Sequence, residues 1–92
     1  MRIIKNKQEM KDMFYEHAVL ALTYNRKIVV VKSTLHGLLG FKVDVQSDSL
    51  NENKIKLVRG KDEKYLSIDV VIDKGSHIEL KNANNTIVLE IQ

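Results

Sequence analysis

Three histidines, His17, His36 and His77, are the side chains best suited to hold a metal or move a proton near neutral pH. None has a second His, Asp or Glu at a spacing such as HExxH, which sets two ligands on one helical face. His17 is expected as a half-buried side chain bonded to a carbonyl, and His36 as a turn residue. Ser76 directly precedes His77, and neighbours on a strand point to opposite faces, so nucleophile and base should not meet. Ser33 and His36 lie close in sequence but lack a third residue to orient the base. Asp69 and Asp73 share a face yet stand four strand residues apart, roughly 13 Å, beyond the separation of paired glycosidase carboxylates. The segment TLHGLLGF at 34–41 carries two glycines, but it has neither the Lys-Ser/Thr nor the following helix of a phosphate-binding loop. These residues assign no catalytic group, no metal and no cofactor, and no small-molecule substrate is inferred. The chain is read as a non-enzyme.

The elements that must position any site follow from periodicity. Over residues 8–23, Met10, Met13, Phe14, His17, Ala18 and Ala21 recur at steps of three and four, the stripe of an amphipathic helix. Asn6 is placed to cap its start and Asn25 to end it, with Glu9 and Asp12 in the early turns that favour acids. The period then changes to two, and strands are expected near 27–33, 38–46, 54–59, 65–73, 77–81 and 86–91, with residues 2–4 adding a short one. Turns are expected at 47–53, 60–63, 73–76 and 82–85, where Gly, Asn, Asp and Ser cluster in a chain without proline. Alternation sends Phe41, Val43, Val45, Ile55, Leu57, Leu66, Ile68, Val70, Ile72, Ile78, Leu80, Ile87, Leu89 and Ile91 to one face. The expectation is a single α+β domain over 1–92, with the helix packed on a meandering antiparallel sheet of five to six short strands, open or curled into a small barrel.

A two-residue turn at His36–Gly37 would pair Leu35 with Leu38, Val30 with Val43 and Ile28 with Val45. A three-residue loop would instead set Lys32 against Lys42, an unfavourable pairing of like charges. The preferred register turns Leu35 and Leu38 outward at the tip beside His36, with Val29 and Val31 behind them. Val58, Tyr65, Val71 and Val88 point the same way on later strands. Together they form a candidate protein-binding patch, rimmed by charge, for another protein or for a second copy in a homodimer.

Composition limits the alternatives. Cysteine is absent, which removes disulfides and thiolate chemistry. MRIIKNK is basic, but no apolar stretch of signal-peptide length follows, and AVLAL and IVVV are too short to span a bilayer. A cytoplasmic protein without membrane contact is expected. The formal net charge is +3, and its distribution is uneven: residues 1–42 hold eight Lys or Arg against three acids, and 43–92 hold seven against nine. Arg2, Lys5, Lys7, Lys11, Arg26, Lys27, Lys32 and Lys42 therefore form an alternative, nucleic-acid-binding set, with Tyr24, Phe41 and Tyr65 as stacking faces. Against it stand few aromatics and an acidic exposed helix side. The first expectation is a small binding protein that occludes a target's working surface or associates with itself, a regulator or inhibitor of the kind mobile genetic elements encode.

Overall fold

The computed structural model describes residues 1–47 and 52–92. In chain order it contains β1 (Arg2–Ile4), α1 (Lys7–Thr23), β2 (Ile28–Ser33), β3 (Lys42–Val43), β4 (Lys54–Arg59), β5 (Asp62–Ser67), β6 (Val70–Asp73), β7 (His77–Lys81) and β8 (Thr86–Ile91). The eight strands form one antiparallel sheet in the order β1-β6-β7-β8-β2-β3-β4-β5. Because β1 and β5 stand at the two ends of the strand order, the sheet is open, the first of the two expected forms, and does not close into a barrel. The α+β architecture stands, with eight strands among the described residues instead of five to six.

Helix α1 forms where the spacing places it. The Asn6 side chain accepts from the Gln8 and Glu9 amides at 2.8 and 3.2 Å, satisfying two donors that the first turn leaves free. At the other end Asn25 takes φ 54° and the Arg26 amide donates to the Ala21 carbonyl at 2.7 Å. That is a Schellman arrangement, closed by one of the few residue types besides glycine that visit this region readily. Met10, Met13, Phe14, Ala18 and Ala21 are buried against the sheet. Met10, Met13 and Phe14 join Ile4, Ile28, Val30, Leu57, Ile78 and Leu89 in one core. Residues of β1 and β4, near opposite ends of the strand order, share that core, so the sheet must curve around it.

Two expected features are corrected. Residues 65–73 do not make one strand. The chain leaves β5 after Ser67 and bends at Asp69, whose amide donates to the Lys81 carbonyl, before β6 begins at Val70. The bend reverses the alternation: Ile68 and Val71 are both buried, while Val70 and Ile72 are only half-buried. Val71, expected outside, is therefore a core residue.

The second correction concerns β2 and β3. Val29 pairs with Lys42, a register that matches neither hairpin, and β3 has two residues where nine were expected. The cause is burial. Leu38 and Phe41 are each 1% exposed and Leu35 packs on the core. A two-residue turn would leave Leu38 in water, and fully burying one such side chain is worth about 1.5–3 kcal/mol. Gly37 and Gly40, at φ 86° and 85°, let the chain double back so that Leu38 reaches inward. TLHGLLGF is thus a plug over the end of the core, not a greasy tip.

The turns need no such correction. Three of the four lie at the expected places: Gly60–Lys61 between β4 and β5, Lys74–Ser76 between β6 and β7, and 82–85 between β7 and β8. In the last, the Asn82 side chain accepts from the Asn84 and Asn85 amides. Of the turn expected at 47–53, residues 48–51 lie outside the described residues.

Candidate interaction surfaces

The outer face of the sheet, away from α1, is built by the register. One row runs His77, Glu90, Val29, Lys42, Val58 and Glu63 across five neighbouring contacts. A second runs Ile3, Ile72, Glu79, Val88 and Lys32. Val31 is the extra residue of a bulge between Val30 and Lys32, and it is exposed. The structure thus brings Val29, Val31, Val58, Tyr65 and Val88 to the expected face and leaves His36 exposed in the 34–41 loop. It takes Leu38 and Val71 out of the set into the core and half-buries Leu35 against it.

Charge interrupts this face. Lys56 lies between Asp44 and Glu63 at 3.4 and 3.5 Å, with its ammonium 5.9 Å from the Tyr65 ring. Burial works to lower its pKa, but the bond to Asp44 and the charges of Glu63, Tyr65 and Asp44 outweigh that and raise it above the usual lysine value. Glu79 accepts from the Lys74 ammonium at 2.8 Å, and that bond leads the causes holding its carboxyl below the usual range. These pairs break the outer valines into small groups.

The exposed apolar surface that periodicity missed is on α1. Tyr15, Val19, Leu20, Leu22 and Tyr24 are between 44% and 72% exposed. Successive helical residues turn by about 100°, so Tyr15, Val19 and Leu22 fall within about 60° of one another on the side away from the sheet. Leu20 stands apart, about 100° around the axis from Val19, and Tyr24 is the C-cap. No Lys, Arg, Asp or Glu occurs in residues 17–25. Solvent-facing helix surface is ordinarily charged, as α1 is at Asp12 and Glu16, and its second half departs from that pattern. The signal was present in the sequence: once the core stripe from Met10 to Ala21 is removed, five large apolar residues remain between 15 and 24.

The residues with chemical potential are dispersed. His17 Nε2 lies 3.7 Å from Asp73 Oδ2, and its Nδ1 is buried without a protein partner, so the expected bond to a carbonyl is not formed. Ser76 Oγ does reach His77 Nδ1, at 3.2 Å. The expectation that they could not meet fails because Ser76 belongs to the turn, not the strand, and its side chain is free to swing toward the ring. The contact is exposed, and among the described residues no ion pair places a carboxylate on His77 to orient it. No group of three potential metal ligands occurs among the described residues.

The basic set is not gathered either. Lys5 and Lys7 stand at one end of α1 and Arg26 and Lys27 beyond the other, about 25 Å away by helical rise. Arg2 pairs with Asp73 on an edge strand, while Lys32 and Lys42 face the outer side of the sheet. Phe41 is buried beneath the Arg59 guanidinium, 4.5 Å from its ring, and offers no face for a base. No helix among the described residues is long and apolar enough to cross a membrane. Comparison with family models, with curated proteins and with solved structures finds no match.

Proposed function

We propose that this chain is a non-enzymatic protein-binding module that works by covering a surface, its own or another protein's, as a small regulator or inhibitor does. The observation that carries this reading is the exposed apolar surface of α1: Val19, Leu20, Leu22 and Tyr24 in a stretch without charge, with Tyr15 just before it on the other side of Glu16. Each tyrosine brings a large rigid apolar body with a polar tip, the side-chain type most enriched where proteins meet. Val29, Val31, Val58, Tyr65 and Val88 supply a lesser, charge-broken surface on the far side of the sheet, and His36 is exposed apart from it in the 34–41 loop. The nucleic-acid alternative gains nothing comparable, because its cations are spread over both ends of the helix and both sides of the sheet.

Light scattering behind size exclusion, with absorbance read at 260 and 280 nm, separates these functions. The chain has three tyrosines and no tryptophan, so carried nucleic acid would dominate its spectrum. A particle larger than one chain with a protein-only spectrum is expected. Material absorbing at 260 nm that salt strips away would overturn the proposal in favour of the basic residues.

A further inference from the structure

We draw no further inference here: the strongest candidate, the exposed apolar surface on the second half of α1 at Val19, Leu20, Leu22 and Tyr24, carries none because nothing in the structure shows what covers it.

Discussion

Val71 and Tyr65 separate what is buried from what is offered to a partner. Both belong by alternation to the same outer set, yet Val71 is wholly buried and Tyr65 is 53% exposed. A carboxylate at Val71 would lie among core side chains with no partner in place, at a cost of several kcal/mol, which is most of the margin of a domain this small. Val71→Asp is therefore expected to unfold the chain, read as loss of a cooperative thermal transition, whereas Tyr65→Asp keeps it. Folded, fully cooperative Val71→Asp would return that side chain to the surface and undo the bend at Asp69. The alternation rule placed Val29, Val31, Val58, Tyr65 and Val88 correctly because their strands run uninterrupted or are bulged in a way that keeps them outward. It failed at Val71 because one bend between Ser67 and Val70 exchanges the two faces, and a period of two contains no signal for a bend.

At the scale of elements, α1 and three of the turns were legible because each is specified locally. Asn6, Asn25 and Asn82 act within four residues of their own position. The register of β2 and β3 was not, because it is settled by where Leu38 and Phe41 find a core built from distant strands. The outer side of α1 is illegible to periodicity for another reason: a period of 3.6 identifies the face that repeats and carries no information about the residues between. The β6–β7 turn offers a test of local electrostatics. Glu79 has its carboxyl pKa lowered by the Lys74 bond, from an ordinary value of 4.5. A carboxyl with a depressed folded pKa adds stability above its unfolded pKa, and that stability is lost as pH falls through the folded value. Lys74→Ala should thus lower the denaturant midpoint near neutral pH and make no difference well below pH 4.5. An equal loss at both pH values would show that Lys74 acts through packing instead.

Across the whole molecule, stability must be distributed by the strand order. The last strand in sequence, β8, lies in the middle of the sheet, paired with β7 on one side and β2 on the other. It contributes the buried Ile87 and Leu89 to the core. The opposite extreme is β5, an edge paired only with β4, with five of its six residues exposed. In the β4–β5 ladder the Ile68 amide donates to Asn53, and alternation of bonded pairs then turns the amides of Glu63, Tyr65 and Ser67 away from β4. Cooperative opening should begin where few apolar groups hold the backbone and reach the central strands only with global unfolding. Native-state hydrogen exchange is expected to show the slowest amides in β8, β2 and β7, and rapid exchange at Glu63 and Tyr65. If those two edge amides were protected as strongly as the centre, β5 would have a backbone partner in solution. The self-association surface would then lie along that edge and not on α1.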